Sequence, residues 1–338
     1  MRLTRSAEQE QFAASLHEML AAADVPGAAR RWASGDHAGG LAVWRKLAGA
    51  GVTALAVPQG WGGLGASPLD IVVACEELGH HAVPGPVAES VAAAPWLIAA
   101  LTEEILAARW LSGLASGDLI ATVALPPWLP YAADADAAGL VLLAEADTVW
   151  LAEPGARHRS VDRARLLFEV DGHQILARGP AVARVIAWVM DVGALACAAQ
   201  LLGAGRALLE ASVRHAGQRI QFGQPVGAFQ AVKHHLADVA IALEFARPLL
   251  DAAAAALEAG DQGAARDVSA AKVACADAAR GAARTALQVH GAIGYTEEHD
   301  LHLWLTKVHA LAWAWGSQAE HRARVIASLA TTRPSSWT

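Results

Sequence analysis

The sequence predicts a mainly α protein with a small β domain, ordered as a helical unit, a short β unit and a four-helix bundle. Three observations predict it. Apolar residues recur at helical spacing through residues 7–115, short apolar runs replace them from Leu119 to Val170, and long Ala-rich helical segments return from about Val185. At 338 residues the chain exceeds one ordinary domain and can bury a large core. The expected divisions are an N-terminal α-helical domain at 1–117, a shortened β domain at 118–180, the bundle at 181–332 and a tail at 333–338.

The first unit is interrupted by GVTALAVPQGWGGLGASP and closed by the loop signal SGLASGD. After the interruption Ser67 reads as a helix N-cap and Pro68 as the first helical residue. The β unit rests on LIATVAL, GLVLLAEADTVWLAE and ARLLFEV, the second of which resembles a hairpin around Glu145 to Asp147. In the last unit, helix one spans about Val185 to Arg214. Helix two places Val232, Leu236, Val239, Leu243, Ala246, Leu250 and Leu257 on alternating steps of three and four, with one position skipped at Ala253. Helix three repeats the pattern with Val268, Ala271, Cys275, Ala278, Ala282, Thr285 and Val289, and a fourth follows Gly316. Such seams belong to antiparallel bundles, and the Ala-lined one allows close approach.

Composition narrows the classes of function. The chain is 54% hydrophobic with a net charge of -7, and no run approaches the roughly 18 uninterrupted apolar residues of a membrane span. Glu8 and Glu10 stand where a signal peptide needs its apolar region, so a cytoplasmic protein without a membrane span is expected. No basic cluster marks a nucleic-acid surface. Cys75, Cys197 and Cys275 lie far apart with no C-x-x-C, as buried free thiols would.

GWGGLG, Gly60 to Gly65, matches G-x-G-x-x-G after the strand-like VTALAV. In a dinucleotide fold the helix opens within the glycines, so that its free N–H groups meet the pyrophosphate. Here the helix opens beyond them, at Ser67 and Pro68, so the run reads as a tight structural loop. A di-iron bundle site needs two Glu-x-x-His pairs and two further glutamates. The chain offers Glu77 with His80, outside the bundle, while His299 with His302 and His234 with His235 lack a carboxylate set. No metal site is expected.

QRIQFGQPVGAFQ, Gln218 to Gln230, joins two long helices and carries an arginine, an aromatic, two glycines and a proline. Arg219 to Gln230 resembles the R-x-x-F-G signature opening the second bundle helix of acyl-CoA dehydrogenases, flavoenzymes that desaturate acyl-CoA thioesters. LAVWRKLAGAGVTALAVPQGWGGLGASPLDIVVACEELGHH is similar to that family's N-terminal helical domain. QVHGAIGYTEEHDLHLWLTKVHAL, Gln288 to Leu311, is similar to its Q-x-x-G-G-x-G-[FY] run, particularly the form in bacterial steroid-degrading members. The resemblance implies the acyl-CoA dehydrogenase fold and an FAD lying across two subunits. Arg219 would then hold the pyrophosphate bidentately, with Phe222 near the adenine. Gly223 and Pro225 would set the bend, and Gln288, Gly291 and Gly294 would form a second wall of exposed backbone N–H groups.

The same comparison exposes what is missing. Desaturation needs a carboxylate to take the α-proton, yet the family's usual base position holds Trp315 and its alternative position holds Gly193. Asp191 is two helical residues away, a rotation of about 200°, and should face elsewhere; Glu297 and Glu298 fall where the family has solvent or interface positions. The flavin-contacting run of the β domain is replaced by ALPPWLPYAADAD, and the later AEPGARHRS keeps Glu153 and Pro154 without the Ser-Asp. The resemblance therefore implies a chain without catalytic residues, the non-catalytic subunit of an α2β2 steroid-degrading type acyl-CoA dehydrogenase. Such a chain would complete the FAD site of a catalytic partner that binds the acyl-CoA. The alternatives are a homo-oligomeric dehydrogenase with a relocated base, and a flavin-free scaffold or acyl-CoA-binding protein of the same fold.

Overall fold

In the computed structural model, which describes residues 5–101, 104–296 and 298–331, the N-terminal unit holds α1 (Ala7–Ala21), α2 (Val25–Ala33), α3 (Ala38–Gly49), α4 (Pro68–His80), a π-helical turn at Ala88–Ala93, α5 (Ala94–Leu101) and α6 (Glu104–Ser116). Ser6 caps α1 reciprocally with Gln9, and Ser67 caps α4 reciprocally with Asp70 while Pro68 takes the first helical position. The strand-like VTALAV is not a strand. Val52–Ala54 form a 3-10 turn, and the carbonyls of Ala54, Leu55 and Val57 accept from the N–H groups of Leu64, Ala66 and Gly65. Its backbone groups are thus satisfied by the glycine loop itself. At Gly63 a Cβ would lie 2.0 Å from the Val57 carbonyl oxygen, so this glycine serves close packing.

The β unit comprises β1 (Ala121–Ala124), β2 (Ala132–Ala133), β3 (Leu140–Glu145), β4 (Thr148–His158) and β5 (Leu167–Arg178), in sheet order β1-β3-β4-β5-β2. β1 runs parallel to β3 and the remaining pairs are antiparallel. The expected hairpin at Glu145 to Asp147 joins β3 to β4 through Ala146 at φ +52°. β5 continues past the apolar ARLLFEV run to Arg178, because pairing with β4 and not burial holds its outer half.

The C-terminal helices are α7 (Pro180–Gln218), α8 (Gln230–Ala259), α9 (Ala264–His290), α10 (Leu301–Trp313) and α11 (Gln318–Thr331). Between α7 and α8 lies a two-stranded ribbon of β6 (Ile220–Gln221) and β7 (Gln224–Pro225). α7 exceeds the expected Val185 to Arg214 at both ends, since Pro180 opens it directly after Gly179. It is long and apolar enough to cross a membrane by composition, but 83% of its most apolar window is buried inside the protein. It is the axis of the fold, packing on α4, α8, α9 and α10. The expected seams face this core, and Ala253 is buried, so the seam of α8 does not skip there. The seam ends differ: Val232 and Leu236 at the start of α8 and Thr285 and Val289 at the end of α9 are half-buried. Cys75, Cys197 and Cys275 are free and buried.

Candidate functional site

Arg219 is the C-cap of α7, its backbone N–H on the His215 carbonyl, and the short ribbon that follows turns at Phe222 and Gly223. Both turn residues are left-handed, at φ +51° and +79°, the geometry of a tight two-residue hairpin turn that favours glycine. Holding a phenylalanine there displays it. Phe222 is 92% exposed, its ring edge-on to Phe229 with centroids 6.1 Å apart. The Arg219 side chain is exposed and has no hydrogen-bond or ion-pair partner among the described residues. It does not satisfy the last carbonyls of α7, the ordinary role of a cation at a helix C-terminus.

Gln288 is exposed near the end of α9, and Gly291, at φ +65°, has open space where a Cβ would stand. The His215 and His290 rings lie 4.3 Å apart, which puts the ends of α7 and α9 together. Arg219, Gln288 and Gly291 therefore sit at one end of the bundle. Gly294 differs from the sequence expectation. It is buried, and a Cβ there would meet Leu301 at 3.2 Å and His290 and Leu287 at 3.3 Å, so it serves packing and not an open backbone wall.

Trp315 and Gly193, the two positions at which the sequence resemblance expects a base, touch each other. Trp315 is 0% exposed, and a Cβ on Gly193 would lie 2.2 Å from its ring. The indole occupies the space above a glycine of α7 that no larger residue would leave open. The indole N–H donates to the Glu89 carboxylate at 3.3 Å, and Arg165 donates to the same oxygen at 3.2 Å. Glu89 stands in the π-helical turn and is buried. It is the carboxylate that sequence reasoning missed, because its signal is a helical irregularity invisible to a 3.6-residue period. Asp191 faces away, as its helical rotation predicts, and accepts from Arg324 of α11 at 2.7 Å. Glu298 is exposed, whereas Glu297 lies outside the described residues.

ALPPWLPYAADAD leaves β1 through a cis Pro126-Pro127 bond and is tied to the turn between α10 and α11. The Trp128 carbonyl accepts from the Gly316 N–H at 3.2 Å, and the Arg324 guanidinium lies over the Trp128 ring at 5.6 Å. Further along, Asp134 is fully buried and accepts from Trp32 Nε1 and the Leu166 N–H, both at 2.9 Å, while its second oxygen has no partner. Burial drives its pKa up to about 7 against these two hydrogen bonds. Glu153 and Pro154 lie exposed on β4. An apolar cleft of about 650 Å³ opens between the Ala56 to Ala66 loop, α5 and the start of α7, with Arg184 as the one charged lining residue among those described. The unpaired guanidinium, displayed aromatic and open glycine backbone fit a nucleotide pyrophosphate and adenine.

Residues 6–118 match the acyl-CoA dehydrogenase N-terminal domain and residues 183–330 the C-terminal domain. The chain belongs to the acyl-CoA dehydrogenase family. Members of this family are FAD-binding oxidoreductases. Acyl-CoA dehydrogenase IpdE2 of Mycobacterium tuberculosis is 29% identical over 316 residues, covering 92% of this chain and 93% of that protein. A variant of the Tcur3481-Tcur3483 steroid ACAD superposes with a TM-score of 0.84 at 22% identity, over 96% of this chain and 99% of that one. The ChsE4-ChsE5 complex of Mycobacterium tuberculosis gives 0.84 at 23% identity, over 99% and 100%. At those identities the two structures speak for the shared fold.

Proposed function

We propose that this chain is the non-catalytic subunit of a heteromeric, cytoplasmic FAD-dependent acyl-CoA dehydrogenase, α2β2 in composition, acting on a CoA thioester derived from a sterol. The observation that carries the reading is the Trp315 indole packed on Gly193, which closes both places where the family keeps its base. The partner would supply the glutamate, the thioester pocket and the flavin-ring site. An FAD held there would supply the acceptor for the hydride that leaves the β-carbon of the substrate. This chain's residues act at the far end of the cofactor. Arg219 neutralises the pyrophosphate with a planar, bidentate fork, Phe222 covers the adenine, and the open backbone at Gly291 admits close approach.

The surface supports a partner. Ile241, Phe245 and Leu249 form an exposed apolar stripe along α8, and Phe245 is 74% exposed. Such a stripe suits a large subunit interface, and Ile326 and Leu329 are exposed on α11 as well. The sterol class rests on the Gln288 to Leu311 run, which resembles the form in bacterial steroid-degrading members. Against a relocated base, the carboxylate of Glu89 is bound to both Arg165 and Trp315. Against a flavin-free scaffold stands the unpaired Arg219 beside Phe222.

The test is the visible absorption spectrum and flavin stoichiometry of the chain alone and co-expressed with a catalytic acyl-CoA dehydrogenase chain. The reading requires a colourless chain alone and one FAD per heterodimer. One FAD per isolated chain, with turnover of an acyl-CoA, would overturn it.

A further inference from the structure

At the end of α4 the chain turns through His80 and His81, and α1 lays His17 across them. Rings of the three histidines lie within 4.7–4.9 Å of one another, centroid to centroid. Glu77, one turn before His81, completes the group, and one donor atom from each of the four lies within 4.8 Å of the others. The pairing of these atoms is chemically unbalanced. His17 Nδ1 lies 3.1 Å from Glu77 Oε2 and 3.2 Å from His81 Nε2. A protonated Nδ1 can donate to the carboxylate but then has no lone pair for His81; an unprotonated one can accept from His81 but then opposes the carboxylate lone pairs. Short of one N–H shared in a three-centre contact with both acceptors, no arrangement of protons gives each contact its own hydrogen bond, whereas one cation between the three atoms satisfies all of them.

His80 adds an independent sign. Its Nε2 meets Glu210 Oε2 at 3.0 Å, while its buried Nδ1 has no partner. A carboxylate taking the Nε2 proton leaves Nδ1 with its lone pair, the arrangement that fixes the tautomer of a metal-binding histidine. Arg206 holds the other Glu77 oxygen at 3.0 Å and so orients the carboxylate from behind. A cleft of about 630 Å³, lined by His17, His80, His81, Glu210 and Arg214, connects the cluster to solvent.

We propose that His17, Glu77, His80 and His81 bind a divalent transition-metal ion of the zinc class, clamping α1 to α4. Three imidazoles and one carboxylate suit zinc and disfavour magnesium or calcium, which take oxygen ligands. Tetrahedral zinc with bonds of about 2.0–2.2 Å spaces its ligands by about 3.3–3.5 Å, so the 3.1 and 3.2 Å contacts need only slight opening. The ligands stand on α1 and at the end of α4, and the site does not depend on the subunit role.

The experiment uses the full chain without a polyhistidine tag, in the assembly in which it purifies. After dialysis against chelator it is titrated with ZnCl2 by calorimetry, and retained zinc is counted by mass spectrometry. One equivalent is expected, with binding at least about tenfold weaker in His17→Ala and His81→Ala and unchanged in a His234→Ala, His235→Ala variant of the exposed pair. His17 is 41% exposed through its side chain, so its replacement leaves no core cavity, and melting in chelator verifies the fold. Cobalt gives a second readout: the intense visible absorption of four-coordinate Co2+ is expected in the wild type and lost in His17→Ala. Failure of the wild type to retain zinc, binding indifferent to His17 and His81, or the weak spectrum of octahedral cobalt would each overturn the site.

Discussion

Two single residues carry testable weight. Gly193 exists because Trp315 lies on it: a Cβ would be 2.2 Å from the ring. Gly193→Ala should cost about 1–3 kcal/mol through overpacking, read by urea unfolding. In a Trp315→Ala background that cost should vanish, and a double-mutant cycle measures the coupling; independent, additive effects would contradict the contact. The second residue is Asp134, whose folded pKa is raised by burial from 3.8 to about 7. Between those values the folded chain binds more proton than the unfolded one, so this group's contribution to stability falls as pH rises through the window. Asp134→Asn keeps an acceptor for Trp32 and Leu166 without titrating. The variant should therefore gain on the wild type between about pH 5.5 and about pH 8, measured as the difference in unfolding free energy at the two pH values.

At the scale of elements, the crossing of α4 and α7 holds the N-terminal unit to the bundle. A Cβ on Gly203 would lie 1.8 Å from the Glu76 carbonyl oxygen, and one on Gly79 would lie 2.1 Å from that of Gln200. Backbone meets backbone there, and neither helix can yield as a side chain would. Gly203→Ala should cost about 3 kcal/mol or more, whereas Gly217→Ala, with open space at the Cβ position, should be neutral or slightly stabilising by thermal melting. Beside the crossing, Glu76 is fully buried between Arg5, Arg206 and Arg247. Burial opposes its ionisation, but Arg5, Arg247 and Arg206 outweigh that and hold its carboxyl below the ordinary range. The long helical periods made α4, α8 and α9 legible in the sequence. The π-helical turn with Glu89 and the ribbon at Ile220–Pro225 were not, because a six-residue π-helical stretch and two-residue strands are too short for a repeating pattern to emerge.

For the whole molecule, Arg219 separates function from folding. It is exposed and unpaired within the described chain, so Arg219→Ala should alter stability by no more than about 0.5 kcal/mol. In the co-purified complex the same variant should lose FAD, and Arg219→Lys should restore only part of it, since a point charge does not reproduce the bidentate fork. Unchanged flavin content in both variants would favour the scaffold reading.

The sequence by itself determined the mainly α class, the order of its units, the hairpin at Glu145 to Asp147, the α4 cap and the family. Each is written in local period, turn chemistry or contiguous motif, and needs no knowledge of what lies across the molecule. It also showed that Trp315 and Gly193 stand where a base is expected. Only the tertiary structure decided that these two residues fill one another's space, that Glu89 and Arg165 surround the indole, and that Gly294 is packed while Gly291 is open. Likewise it brought His17 of α1 and His81 onto the Glu77 and His80 pair, which looked insufficient along the chain. Close approach between residues sixty or more positions apart, such as His17 and Glu77 or Gly193 and Trp315, has no local period, so side-chain chemistry assembled by helix crossing appears only when the helices are in place.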